Sequence, residues 1–311
     1  MNLIPLTLKD WQAAVARRAT TPFFYLPEAY QAQEVLAQRY RTRVYRVETP
    51  EGAYLMPLLE SRRWGLRRLY SGPDGTYGGL LPLDDAPPAP SRLYQQVIHR
   101  LTGLRAPCLY LTVPHRPDLG LRMPGEPTDR TYLLDLGPDF DHFFRQVLQG
   151  KRRNIYRRGL RAGLAAVEGA EHLAAFLHLY RRRRWAREYP EIYWQALLRS
   201  GRARLWVAHH EGRAVAALWL LLGLGEAFYY LGVQTPDSAE LSPLTFLLVE
   251  ALRGLLQLDR IHRVDLGASM GLGGVEHFKR SFGARPVEIH HRAWCRFGPG
   301  LRLRRPARLR L

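Results

Sequence analysis

The chain has 311 residues, of which 46% are hydrophobic and 24% charged, a globular composition that excludes wholesale disorder. Its length is sufficient for two domains with sizeable cores. The formal charge of +18 favours polyanionic partners such as nucleic acid, nucleotide phosphates or an anionic membrane surface. Genome composition or heat adaptation also enriches arginine, so charge alone does not specify the ligand. The two cysteines cannot build a disulfide framework, which favours a reducing cytosol.

No membrane-directed segment is evident in the sequence. The first 18 residues lack an apolar signal core followed by a small-residue cleavage site. The most apolar run, residues 214–233, is interrupted by Gly223, Gly225 and Glu226 and therefore predicts two strands joined by a turn. We expect a cytoplasmic protein that is able to associate peripherally with the inner face of a membrane.

Extended segments dominate the first half of the chain. Residues 42–62 predict a β-hairpin around "TPEG", and residues 67–82 predict another extended stretch broken by glycines. A helical segment beginning near Ser91 leads into the predicted strand "CLYLTV". We assign residues 1–138 to a first domain.

The segment that follows, residues 139–164, predicts a very basic helix. Positive side chains crowd its surface: Lys151, Arg152, Arg153, Arg157, Arg158 and Arg161. Two further arginine-rich segments occur, "YRRRRWARE" around Trp185 and the tail "LRLRRPARLRL". We predict a second domain over residues 139–294 and a basic C-terminal segment over 295–311 that packs on the first domain.

The second half has the clearer pattern. A hairpin around "HHEGR" and a third strand, "EAFYYLGV", precede a helix with Ser242 as N-cap and Pro243 at its first position. The strand "HRVDLG", a glycine-rich turn, a short helix and a closing strand complete the pattern. This order predicts a mixed α/β (α+β) layered domain.

Most catalytic templates are missing from the sequence. It contains no P-loop, HExxH, CxxC or GxSxG motif, and "GASMGLGG" lacks a complete GxGxxG. The histidines show no arrangement suited to a shared metal ion, because adjacent strand residues point to opposite faces. We therefore expect no metal and no tightly bound cofactor.

Lysine is rare in this chain, which makes Lys279 conspicuous. Only Lys9, Lys151 and Lys279 are lysines, which leaves 43 arginines. Lys279 lies in the short helix after the glycine-rich turn, where backbone N–H groups and the helix dipole favour anions and developing oxyanions. A compact ammonium suits a point contact that a planar guanidinium does not make. The bland alternatives are a plain strand-to-helix turn and a solvated surface lysine.

The segment "VDLGASMGLGGVEHFKRSFGA" resembles the C-terminal signature of the FemABX family of peptidyltransferases. "GKRRNIYRRGLRAGL" is similar to the basic helix that opens the second domain of that family. "LSPLTFLLVEAL" and "YGGLLP" also match in order. The resemblance covers most of the chain, most firmly residues 140–284, and implies two tandem GNAT-like domains. The long helical arm of some members has no counterpart between Glu168 and Arg204, so this is an armless architecture.

The resemblance implies an N-acyltransferase. The expected reaction moves an aminoacyl group from aminoacyl-tRNA to an amine of a peptidoglycan precursor, in cell-wall biogenesis. By position, Lys279 would stabilise negative charge at the reacting carbonyl or the tRNA end, and other residues would bind substrate or phosphate: Lys151, Arg152, Arg153, Ser242, Gly271, Gly273 and Phe278. The proton acceptor is open among Asp265, Glu276 and Glu240, and Asp265 is also suited to a hydrogen bond with backbone at the strand end.

Two other functions remain open at this point. An acyl-CoA-dependent N-acyltransferase acting on another amine, such as an amino sugar, would have the same fold, although neither half shows a Q/RxxGxG/A pyrophosphate loop. A non-catalytic nucleic-acid-binding protein would explain the charge, but the aromatic residues do not alternate with basic ones as in a known RNA-binding module.

Overall fold

The computed structural model describes residues 1–36, 40–63, 66–73, 76–102, 108–122, 126–182, 189–258 and 260–295. These residues form two compact units. The first comprises Met1–Arg130 together with the last strand from Val287, and the second comprises Thr131–Pro286. The domain limits at residues 138 and 294 remain predictions. The compact units instead divide the chain after Arg130 and after Pro286.

The first unit is a mixed sheet with three helices. Its elements in chain order are β1 (Asn2–Pro5), α1 (Leu8–Ala16), α2 (Pro27–Glu34), β2 (Tyr40–Thr49), β3 (Gly52–Arg63), β4 (Leu66–Ser71), β5 (Leu81–Pro82), α3 (Ser91–Leu101) and β6 (Cys108–Pro114). The sheet order is β1-β2-β3-β4-β6, with β5 beside β3. The predicted hairpin is β2–β3, and Thr7 begins α1 with a capping box that includes Asp10.

The second unit also combines a mixed sheet with helices. Its elements are β7 (Asp129–Asp135), α4 (Phe140–His142) with a π-helical turn (Phe143–Val147), α5 (Gly150–Arg161), β8 (Ala165–Glu168), α6 (Leu173–Arg181), α7 (Glu191–Arg199), β9 (Ala203–His210), β10 (Arg213–Leu222), β11 (Glu226–Gln234), α8 (Pro243–Leu255), β12 (Arg263–Ala268) and α9 (Gly273–Arg280). The sheet order is β7-β12-β11-β10-β9-β8, and only β11–β12 is parallel among these pairs. The closing strand β13 (Arg285–Cys295) pairs with β6 from Ile289 onward.

Strand β10 explains the most apolar run of the sequence. Leu218 and Leu220 belong to the core cluster that contains α8, whereas Trp219, between them in sequence, packs against Phe176 and Trp194 of α6 and α7. Helices therefore cover both faces of this strand, and both faces must be apolar. The prediction of two strands for residues 214–233 is confirmed. No helix within the described residues is long and apolar enough to cross a membrane.

Candidate functional site

Strands β11 and β12 separate part-way along their length. Their parallel pairing ends at Phe228 opposite Asp265. Beyond that point β11 continues to Gln234 beside β10, while Ala268 of β12 pairs with Thr131 of β7. The two strands thus leave an opening in the second unit, which we call the strand opening.

A β-bulge lies on β11 where the opening begins. Trp219 of β10 is opposite Leu231, and the next residue, Leu220, is opposite Tyr229, so Tyr230 is the extra residue. A bulge leaves one residue outside the ladder and re-aims its backbone and side chain. The Tyr230 hydroxyl lies 2.8 Å from the hydroxyl of Tyr193 on α7.

The end of β12 has an unusual backbone, which the Asp265 side chain stabilises. The register with β7 shifts between Asp265 and Ala268, and Gly267 has a left-handed φ of 76°. The Asp265 carboxylate, which is 1% exposed, accepts the Gly267 N–H at 2.7 Å and also the Thr131 hydroxyl. The expected hydrogen bond of Asp265 with strand-end backbone is therefore present. Asp265 shapes the strand end and is poorly placed to accept a proton from a substrate.

Lys279 also stabilises this end of β12. Its ammonium donates to the carbonyls of Gly267 and Ala268, at 2.8 Å each, and the side chain is 5% exposed. It also lies 5.6 Å from the centre of the Tyr132 ring. An ammonium can donate to two successive carbonyls from one atom, whereas a guanidinium spreads its donors over a planar fork. Contact of Lys279 with the acyl donor or with the reacting carbonyl of a substrate remains a prediction. Its hydrogen bonds to the backbone carbonyls of Gly267 and Ala268 are part of the fold.

Glu276 lies one turn before Lys279 on α9, half-buried. Its carboxylate accepts the Ser269 hydroxyl at 3.1 Å. Burial and the nearby Glu276 carboxylate raise the pKa of the Tyr132 phenol above its usual value. Glu240, in contrast, is an exposed residue whose backbone carbonyl accepts from Arg158. Of the three carboxylates proposed as proton acceptor, Glu276 is the one that combines partial exposure with a place in this cluster.

The cluster contains residues that the sequence analysis missed. Thr131 and Tyr132 come from β7, more than 130 positions before Asp265, and only the antiparallel pairing of β7 with β12 brings them together. No local pattern could have identified them. Ser269 could have been predicted, because it lies in the glycine-rich segment near which the sequence places the site.

The glycine-rich turn supplies conformation and open space. Gly271 has a φ of 74°, and a Cβ added at Gly271 or Gly273 would meet nothing within 4 Å. Phe278 packs against Phe282, with ring centres 5.0 Å apart. The expected substrate contacts of Gly271, Gly273 and Phe278 remain predictions, and the two glycines lie on the surface.

The basic helix α5 divides its positive residues between interior and solvent. Arg152 donates to Ser281 at 2.6 Å and to Thr245 at 3.0 Å, its guanidinium lies 4.9 Å from the Phe278 ring centre, and burial lowers its pKa. Arg153 donates to three carbonyls of the preceding π-helical turn and its end. Lys151 is exposed. Phosphate binding by these three residues remains a prediction; Arg152 and Arg153 already serve packing and capping.

Ser242 occupies the predicted N-cap position of α8, but its side chain does not cap the helix. The residue has left-handed φ and ψ of 51° each, and its hydroxyl lies 3.5 Å from the Ala239 carbonyl. N-cap side chains normally reach the helix from an extended backbone, which Ser242 lacks. Its role toward a substrate remains a prediction.

Several predicted features lie outside the described residues. These are residues 183–188 of the second arginine-rich segment and the tail from residue 296, including its predicted packing on the first domain. Within the described part of the chain, no three His, Cys, Asp or Glu side chains are grouped to hold a metal ion.

Comparison with known proteins identifies the second unit. Residues 142–280 match the family model of an acetyltransferase (GNAT) domain. The solved structure of FemX superposes with a TM-score of 0.68 at 11% identity, covering 94% of this chain and 97% of that one. A comparison with curated proteins gives no match.

Two further structures extend the comparison. A tandem GNAT protein from the clavulanic acid biosynthesis pathway has a TM-score of 0.56 at 15% identity, covering 94% of this chain and 98% of that one. The C-terminal domain of a putative lysylphosphatidylglycerol synthetase from Agrobacterium fabrum has a TM-score of 0.56 at 15% identity, covering 94% and 92%. These likenesses confirm the mixed α/β, tandem GNAT-like fold. With the match of residues 142–280 to a GNAT acetyltransferase domain, they support the prediction of a FemABX-like, GNAT-related acyltransferase.

Proposed function

We propose that the second unit transfers an aminoacyl group from aminoacyl-tRNA to an amine, with the reacting carbonyl at the strand opening. The observation that supports this most directly is the position of the Tyr230 bulge within a GNAT domain, at the point where β11 and β12 separate. Backbone groups that leave the ladder there are candidates to bind the oxyanion that forms on the carbonyl.

The chemistry requires positioning more than a nucleophilic side chain. The acceptor amine attacks the ester carbonyl, the C–N bond forms, the C–O bond to the ribose breaks, and the amine loses one proton. We propose that Glu276 accepts this proton and that the ribose oxygen leaves protonated, with solvent completing the exchange. Lys279 acts as a positioning residue, because it fixes the edge of the opening through Gly267 and Ala268.

The proposed acceptor is an amine of a peptidoglycan precursor, handled in the cytoplasm or at the inner membrane face. This follows from the FemABX resemblance and is compatible with the likeness to FemX. The likeness to a protein titled a lysylphosphatidylglycerol synthetase keeps a lipid acceptor as a variant of the same aminoacyl transfer. An acyl-CoA donor is the second candidate, since the matched family model is that of an acetyltransferase domain.

The decisive experiment supplies each donor separately. Purified protein is incubated with a UDP-linked muramyl pentapeptide and either a charged tRNA mixture or an acyl-CoA panel, and the product mass is measured. We expect a mass gain only with charged tRNA, and the gain identifies the amino acid. A gain only with acyl-CoA replaces the proposal by the second candidate. A mass gain only when phosphatidylglycerol vesicles replace the pentapeptide would show that the acceptor is a lipid.

A further inference from the structure

One side of α5 carries a row of exposed polar side chains, all of which are positively charged except an asparagine. Lys151, Asn154, Arg157, Arg158 and Arg161 are all exposed. With 3.6 residues per turn, these positions fall within about one third of the helix circumference and extend over about 15 Å of its axis. We call this set the α5 stripe.

The described residues do not neutralise the α5 stripe. Within the described residues, Lys151, Arg157 and Arg161 make no ion pair and no hydrogen bond; Arg157 lies 5.6 Å from the Phe144 ring centre. Arg158 donates to the backbone carbonyl of Glu240, which carries no charge.

Three arginines of the first unit behave differently. Arg46 pairs with Glu48 at 3.0 Å, Arg92 pairs with Glu51, and Arg17 lies 3.9 Å from Asp84. Each of these three arginines therefore has a carboxylate beside it, whereas Lys151, Arg157 and Arg161 have none among the described residues. An unscreened row of cations attracts a polyanion.

The opposite side of α5 holds the stripe rigidly in place. Tyr156 is buried, and a Cβ on Gly159 would lie 3.0 Å from Leu164 and 3.1 Å from Phe246, so the helix has no room to shift inward. Arg152 connects α5 to the first turn of α8 and the end of α9. Phosphate binding therefore requires ordering of the cationic side chains but not of the helix that carries them.

We infer that the α5 stripe binds the phosphate backbone of RNA. Double-stranded nucleic acid presents about one negative charge per 1.7 Å of axis, so a row of about 15 Å can contact several phosphates. A membrane is the weaker match, because an interfacial helix exposes a broad apolar face. Here the apolar side is buried, and exposed Leu160 lies outside the stripe. The choice of RNA as the polyanion rests on the proposed aminoacyl-tRNA donor.

The test measures binding of a fluorescently labelled, uncharged RNA minihelix with a single-stranded 3′ CCA end, by anisotropy, over a range of salt concentrations. The stripe variant is K151Q/R157Q/R161Q. The matched control, R17Q/R46Q/R92Q, removes the same charge from paired arginines. We expect the stripe variant to bind about tenfold to a hundredfold more weakly at 0.1 M salt, with a salt slope lower by about 2 to 3. The control should change binding by less than about threefold.

Two further measurements keep the inference testable. The single variant R161Q removes a side chain that makes no ion pair, hydrogen bond or ring contact with the described residues. It should lower the salt slope by about 0.7 to 0.9 even if the triple variant is unstable. Equal binding by stripe and control variants overturns the inference, as does a loss confined to anionic phosphatidylglycerol vesicles. If RNA binding depends on the α5 stripe but no transfer from tRNA occurs, the inferred RNA binding is supported and the proposed function is contradicted. If transfer from tRNA occurs but RNA binding does not depend on the stripe, the proposed function is supported and the inferred RNA binding is contradicted.

Discussion

The first unit buries the carboxylate of Glu60 in its sheet, and the second unit buries those of Glu226 and Asp265. Glu60 and Asp265 are satisfied by different partners. Glu60 on β3 is 2% exposed and lies 3.2 to 3.6 Å from the guanidinium groups of Arg43, Arg62 and Arg67. Asp265 on β12 is equally buried, and its partners include a hydroxyl and a backbone N–H. The first arrangement neutralises a charge, and the second determines the path of the chain.

This difference indicates which cluster matters for activity. The arginines around Glu60 are 41% to 62% exposed and can turn into water if the carboxylate is removed. Gly267 has no such freedom, because Asp265 holds its N–H and Lys279 its carbonyl. We therefore expect substitutions at the β12 strand end to change both stability and transfer, and substitutions around Glu60 to change stability alone.

The largest effect is expected from K279M. Loss of the ammonium leaves two buried carbonyls without this donor, at about 1.5 to 3 kcal/mol for each charge-assisted bond. The unfolding free energy should therefore fall by about 3 kcal/mol or more, and the transfer rate by at least about 100-fold through displacement of the strand end. Urea unfolding and single-turnover transfer measure the two effects. K279R should not restore either, because the site accommodates donors from a single atom.

The three lysines provide an internal control for that experiment. Lys9 and Lys151 are exposed, whereas Lys279 is buried. Under native conditions an amine-acetylating reagent should modify Lys9 and Lys151 and spare Lys279, as read by peptide mass. Rapid modification of Lys279, or a transfer defect in K279M with unchanged stability, would show that the ammonium is available to a substrate instead of locked to the strand end.

The next largest effect is expected from E276Q. If Glu276 accepts the proton of the amine, the amide variant should lose about 100-fold or more in transfer rate. Raising the pH should partly restore the rate of E276Q, because solvent then deprotonates the acceptor amine, while the melting temperature changes little. E276D serves as the conservative control and should retain part of the rate. An E276Q enzyme with normal rate and pH profile would return the proton acceptor to an open question.

A smaller effect is expected from E60Q. The amide keeps the shape of the buried side chain, and the half-exposed arginines lose only partly screened attractions, so unfolding should become easier by about 1 kcal/mol. The transfer rate should be unchanged. A transfer defect in E60Q would contradict the separation of the two carboxylates into a charge-neutralising and a chain-shaping group.

The sequence predicted the order of elements better than the contacts of its polar groups. The alternation in β9–β11 and the helical spacing of α8 follow from local periodicity, and the FemABX resemblance identified the segment around Lys279. The cluster itself depends on β7 pairing with β12, which no short window contains. The same limit applies to α5, where the sequence shows a row of positive residues but does not show that Arg152 and Arg153 face inward.

Tyr132 provides the mildest test of the strand-end cluster. Its buried hydroxyl lies beside Glu276 and Ser269 without a well-formed hydrogen bond, so Y132F should change stability at pH 7 by no more than about 1 kcal/mol. Because the raised pKa keeps the phenol protonated in the folded state, the tyrosine's contribution is intact below about pH 10, where the unfolded phenol ionises, and falls at higher pH. Urea unfolding of both proteins at pH 7 and pH 10.5 should therefore show a larger alkaline loss for the wild type. Equal alkaline losses would show that the phenol ionises as readily in the cluster as in the unfolded chain, which would contradict the burial of the Tyr132 side chain.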